Sequence, residues 1–327
     1  MAPDDGEGEF DDGIARDEAP RPEADDPQRV AVPRYGPVVR FGMVAIIATG
    51  LLVLTYLVLV TTEPGQRIEN LALLGAELRS DAEREAALGR LSVVTVAIFA
   101  LALVAVVATG FLRRREQLAL VVAASMVTAV VVAEVLKIVL PRPALIEGPV
   151  WLLRNSFPSG SAAVAASIAI GALLVAPDRL RWVVLLAGVA FAALIGESVQ
   201  TTGWHRLSDT VGGVLIVIAV SATGLVLLAS TGLVAASDAA RIDARFRAAL
   251  LILAAGTVVL GLGLALLPAV FPLLGEPVGA RRSILQTAFP LVGVGVTVLA
   301  TVAFARVIEP YSLGRRERSH GDGNDGS

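Results

Sequence analysis

Gly203-Trp204-His205-Arg206-Leu207-Ser208-Asp209 is a polar island between two hydrophobic segments. It holds one of the two histidines of the chain, and the other, His320, lies in a polar tail. A histidine followed four residues later by an aspartate puts both side chains on one face of a helix start. There the carboxylate fixes the imidazole tautomer and stabilises its charge, as a histidine nucleophile or base requires. The same pair also fits an interfacial hydrogen bond without chemistry, so its meaning depends on what the rest of the chain brings to it.

Outward from the island the chain is strongly apolar. Its 327 residues are 55% hydrophobic, with a mean hydropathy of +0.73, far above what a water-facing domain carries. This composition is that of an integral membrane protein. Without cysteine, disulfides and thiolate metal sites are excluded. Lys137 is the only lysine, and the excess of Ala, Val, Gly and Arg is that of GC-rich, bacterial-type coding.

Residues 1–35 are expected to form a disordered tail: up to about residue 33, eleven acidic residues face three arginines, with prolines and few apolar residues. It has no basic start or apolar core and does not read as a signal peptide. Either it solubilises or it docks a basic partner. Eight apolar segments follow, near 41–62, 91–112, 118–140, 160–176, 181–199, 210–230, 248–268 and 284–306, each near the ~20 residues that cross a bilayer as a helix. The expected fold is therefore all-α, with a six-span core over 36–230, two further transmembrane helices over 231–308 and a disordered tail over 309–327. Between the first two spans, Ile68, Leu71, Leu74 and Leu78 recur at helical steps, with Gly75 as a weak point. Residues 64–90 thus read as one amphipathic helix on the membrane surface, either a lid beside a lipid entrance or a plain connector.

Lys and Arg set the orientation. With the amino terminus inside, seventeen of the 27 fall on inner segments and ten on outer ones. Both termini are then cytoplasmic in a multi-pass protein of the cell membrane, and the His205 island faces outward. On that face the third span ends with Lys137 and, beyond Pro141, Arg142: two cations at a membrane boundary. The fourth span opens with Pro158-Ser159-Gly160-Ser161, whose free backbone N–H groups, hydroxyl and helix dipole make an anion site. The ends of spans three and five and the starts of spans four and six share one face, so these groups can converge with the His-Asp pair.

The order Lys137 and Arg142-Pro143, then Pro158-Ser159-Gly160, then Ser198-x6-His205-x3-Asp209 resembles the type 2 phosphatidic acid phosphatase superfamily, which includes lipid phosphate phosphatases and vanadium haloperoxidases. The similarity covers roughly residues 40–230. It implies that His205 is the nucleophile that forms a phosphohistidine and that Asp209 orients it. It further implies that Lys137, Arg142, Ser159 and the amide of Gly160 bind phosphate oxygens, with no metal and no cofactor. Fixed cations and N–H groups suit the charge that phosphoryl transfer spreads over equatorial oxygens.

Three positions depart from the family pattern. Its first-motif arginine would fall at Ala144, and Arg142 is two residues early; Ser161 stands where the family has its general-acid histidine; Val199 replaces an arginine next to Ser198. A serine hydroxyl does not ionise near neutral pH, and loss of the acid costs ~10²–10⁴ in rate. Three readings follow. A polyprenyl diphosphate needs no acid, because its leaving group is a phosphate with a second pKa of roughly 6. Alternatively Glu197, or Glu147 behind it, supplies the proton, while Gln200 replaces the lost arginine and Glu134 pairs with Lys137. In the last reading the chain binds lipid phosphate headgroups or serves as a membrane scaffold without turnover. The expected partners are a membrane lipid phosphate and the bilayer, with no nucleic acid; no protein partner is legible. The loop with Gly275, Pro277, Gly279, Arg281 and Arg282 falls on the active face and could cover the pocket.

Overall fold

The computed structural model describes residues 36–237, 244–274 and 278–314. The acidic segment expected to be disordered and His320 lie outside them, as do Gly275 and Pro277. Helix α1 (Gly36–Thr55) continues through a π-helical turn, Tyr56–Val60. Short α2 (Glu63–Gly75) and α3 (Asp81–Leu91) lead to α4 (Val96–Leu112), α5 (Glu116–Val139) and the single turn α6 (Val150–Leu153). Then come α7 (Gly160–Val175), α8 (Arg181–Thr201), α9 (Leu207–Ser230), β1 (Val234–Ala236), α10 (Ala244–Leu274), α11 (Val278–Ile308) and β2 (Tyr311–Leu313).

All eight apolar segments are helical, and among the described residues six helices are long and apolar enough to cross a membrane. Two fall short alone. Segment 91–112 is broken at its start: α3 ends at Leu91, residues 92–95 turn, and Thr95 caps Ile98 and restarts the helix as α4; α3 and α4 form a pair bent by 44°. Helix α7 has 16 residues, about 24 Å at 1.5 Å per residue, against a ~30 Å hydrocarbon core. It is buried among α5, α8 and α9, and its small residues, such as Ala163, Ala166 and Ala169, let these neighbours approach. Ile46, Leu101 and Ile252, on α1, α4 and α10, remain exposed, as residues facing lipid would.

Residues 64–90 depart from the expected single surface helix. Ser80 and Glu83 form a capping box that starts α3 and breaks the segment. Helix α2 buries Gln66, Glu69 and Asn70 against the protein, whereas Leu78 stays exposed. Ile68 and Leu71 pack against an apolar cluster shared with α9, α10 and α11, so α2 turns polar residues and part of its hydrophobic stripe alike into the protein.

Helix α11 is part of the core packing. It lies against α8, α9 and α2, and α10 packs on its outer side. Gly261 and Gly295 let α10 and α11 touch: a Cβ at Gly261 would sit 2.9 Å from Ala288 O, and one at Gly295 2.9 Å from Ala254 O. Part of the expected tail is ordered, since β2 pairs antiparallel with β1 in the register Val234↔Leu313. This ladder, the start of α1 (Phe41 stacked edge-on against Tyr311) and the α4–α5 turn (Arg113 bonded to Val175 O of α7) gather at one end of the bundle. The His205 island, the 141–159 connection and α2 gather at the other end.

Candidate active site

The island begins where α8 unwinds. Trp204 and His205 both donate their N–H to Val199 O, and Gly203 turns the chain at φ +73. That conformation favours glycine. Asp209, in the first turn of α9, accepts the Arg206 N–H at 2.8 Å, satisfying an orphan donor of the helix start. The same oxygen, Oδ2, accepts the Ser156 hydroxyl at 2.6 Å and lies 3.3 Å from His205 Nδ1. With Nδ1–H directed at the carboxylate, Nε2 keeps its lone pair for attack. Asp209 is fully buried and the His205 side chain 14% exposed.

The start of α7 is fixed to the same place. Asp209 O accepts the Ser159 N–H at 2.8 Å, and Ser159 Oγ caps Ala162. Gly160 is a contact point, where a Cβ would collide with Glu134 Oε1 and lie 3.5 Å from Lys137 Nζ. Lys137 reaches the helix start, as its spacing implies, but in a pair with Glu134 at 2.8 and 2.9 Å. Asn155 joins the elements, donating to Lys137 O and Leu140 O at the end of α5.

Arg142 is also here, its side chain 1% exposed. Neither Nη1 nor Nη2 has a hydrogen-bond partner, and Glu69 Oε2 lies 3.9 Å from Nη2. A buried guanidinium without acceptors is costly by itself and is suited to an anion.

Three contributors were not legible in the sequence. Glu69, from α2, accepts the N–H and the hydroxyl of Ser208 and is fully buried. Burial and the Asp209 charge push its carboxyl up to about 7, against the pull of Ser208 and Arg142. Arg206 donates to Asn70 Oδ1, Ser156 Oγ and Leu152 O, clamping α2 and α6 to the island. Arg90, from α3, donates to Ser198 Oγ at 2.7 Å and pairs with Glu197 at 2.8 Å. A guanidinium from elsewhere thus meets the Ser198 hydroxyl, while neighbouring Val199 is buried in an apolar cluster. Only the i,i+3 order Gln66, Glu69, with Asn70 beside it, on an otherwise amphipathic helix signalled the inward polar face.

The other sequence candidates divide. Gln200 lines the small cavity beside His205, with Glu69, Arg206, Leu207 and Gln286; its volume is about 10 Å³, room for little more than a water. Glu197 is engaged by Arg90 and Thr201. Glu147 lines a separate cleft of about 440 Å³ between α2 and the 145–152 segment. Ser161 is partly exposed on the first turn of α7. The α10–α11 connection itself is not described, but Gln286, Phe289 and Pro290 of α11 wall the His205 cavity.

No family model matches the chain, and no curated protein matches it. Among solved structures, the chain is similar to the first transmembrane PAP2 type phosphatidylglycerolphosphate phosphatase from Bacillus subtilis, with 21% identity over 60% of this chain and 95% of that one, at a TM-score of 0.39.

Proposed function

We propose that this chain is a bacterial membrane lipid phosphatase of the type 2 phosphatidic acid phosphatase kind, acting at the extracytoplasmic face of the cell membrane through a phosphohistidine on His205. One observation carries the reading. His205, oriented by Asp209, stands at the same bundle end as Arg142, whose buried guanidinium nitrogens lack hydrogen-bond partners. His205 Nε2 attacks phosphorus, Asp209 stabilises the resulting imidazolium, and Arg142 with the Ser159–Gly160 helix start holds the phosphoryl oxygens. Both termini are cytoplasmic on this reading, because the start of α1 and the β1–β2 ladder lie at the end opposite the island, and most Lys and Arg of the chain fall on the inner segments of that orientation.

The substrate is a lipid phosphate whose leaving group departs without Ser161. A polyprenyl diphosphate satisfies this with no acid, whereas an ester requires a donor elsewhere in the site. The test is phosphate release by the detergent-purified protein from a polyprenyl diphosphate and from phosphatidate, beside His205→Ala. Release abolished by that substitution and by vanadate is expected; release that survives it would sink the reading.

A second reading, a headgroup-binding protein without turnover, is favoured by the closure of the His205 cavity to about 10 Å³ and by the neutralisation of Lys137. Its signature is vanadate binding with no phosphate release from either lipid.

A further inference from the structure

We propose that Glu69 is the acid–base residue of this site, giving the leaving oxygen the proton that Ser161 cannot give. The proposal rests on the phosphatase reading and extends its substrate class to alkyl phosphate esters.

Among the carboxyls near the island, the geometry selects Glu69, which shares the His205 cavity and is hydrogen-bonded by the neutral Ser208. Asp209 is committed to His205, Ser156 and the Arg206 N–H. Glu134 is paired with Lys137, Glu197 with Arg90, and Glu147 lies in the outer cleft. Glu69 lines the same cavity as His205, is closed off from solvent, and reaches it from α2, an element outside the motif-bearing helices. The charged and titratable groups around it are Asp209 of α9, His205 and Arg206 of the island and Arg142 of the 141–149 connection. Helices α8 and α11 present the neutral Gln200 and Gln286. Burial and Asp209 together hold the carboxyl at about 7, where it both gives and takes a proton near neutral pH.

In the first step the Nε2–P bond forms, the bond between phosphorus and the leaving oxygen breaks, and the Glu69 proton passes to that oxygen. In the second step water attacks phosphorus, its proton goes to the Glu69 carboxylate, and the N–P bond breaks. Proton and charge return to the starting state.

Leaving-group dependence tests this. Phosphatidate must expel an alkoxide, whereas p-nitrophenyl phosphate expels a stable phenolate that needs no proton. Glu69→Gln is expected to lower release from phosphatidate by ~10²–10³-fold and from p-nitrophenyl phosphate by less than about tenfold. Glu69→Asp should keep part of the phosphatidate activity. In the unsubstituted protein the phosphatidate rate should fall above about pH 7. Equal losses on both substrates would make Glu69 a structural brace and overturn the proposal. So would no loss, or an unsubstituted protein that hydrolyses p-nitrophenyl phosphate or a diphosphate but not phosphatidate; in those cases the phosphatase reading stands if His205→Ala is inactive. No release from any substrate sinks both.

Discussion

Ser208 donates its N–H at 2.8 Å and its hydroxyl at 2.9 Å to the two oxygens of Glu69, 139 positions earlier in the chain. Helix α2 is thereby tied to the residue between His205 and Asp209, and it closes the cavity whose chemistry it would serve. A fully buried carboxyl in this place makes the closure depend on pH. Its value rises from the ordinary 4.5 to about 7 on folding, so the folded state binds the proton more tightly. The contribution to stability is therefore present below about pH 4.5 and lost as pH rises through about 7. Thermal unfolding in detergent should show the apparent Tm falling between pH 5 and pH 8. Glu69→Gln, which keeps an acceptor for the Ser208 amide, should flatten that fall; an identical slope in both would count against the coupling.

Arg206 carries the other half of the closure. Its guanidinium meets three acceptors from three segments: Asn70 of α2, Ser156 before α7 and Leu152 O of α6. Lysine has the charge but not the planar fork, so it cannot reach all three. Arg206→Lys should cost roughly 2–3 kcal/mol, from lost hydrogen bonds to a charged donor. Faster proteolysis within residues 61–80 is the expected readout. Cleavage at the unsubstituted rate would mean that α2 is held without this clamp.

Lys137 is the sole lysine, yet Glu134 holds it at 2.8 Å beside the start of α7. The Glu134 side chain is half exposed, so solvent screens the pair and its strength is modest, at most about 1 kcal/mol. Removing the carboxylate charge releases the ammonium toward the anion site. Glu134→Gln should tighten vanadate binding about two- to fivefold, measured by titration. Weaker binding would show that Glu134 positions Lys137 instead of masking it.

The hydrophobic pattern was enough to place eight apolar helical segments, though not the shortness of α4 and α7, because apolar length records what lipid and core demand. The His205–Asp209 pair and the Glu134–Lys137 pair were legible too, since each lies within one helical turn. Glu69, Arg206 and Arg90 were not, because their partners lie far along the chain or on other elements, and local spacing carries no record of such contacts. Helix α2 misled for a further reason. Ile68 and Leu71 of its stripe pack on an apolar cluster of the protein instead of the membrane surface, and the polar residues of the same helix find partners too: Ser208, Arg206 and the carbonyls of Val60 and Pro143. Likewise nothing in 284–306 indicated that Gln286 and Phe289 would wall the His205 cavity.

Ser161 offers a way to distinguish an acid that has moved from a site that has lost its chemistry. It lies on the first turn of α7, next to Gly160, at the position where the motif resemblance would place an acid histidine, and its side chain is partly exposed. If Glu69 supplies the proton, removing it and installing an imidazole at 161 should exchange one donor for another. Glu69→Gln with Ser161→His is expected to recover phosphatidate hydrolysis about 10–100-fold over Glu69→Gln alone, within the usual range for general acid catalysis. The recovered rate should also take the pH dependence of an imidazole, unlike that of a buried carboxyl near 7. Ser161→His alone should then add little, because a donor is already present. A large gain from the single substitution would instead mean that the unsubstituted site works without an acid, and that its natural substrate is a diphosphate.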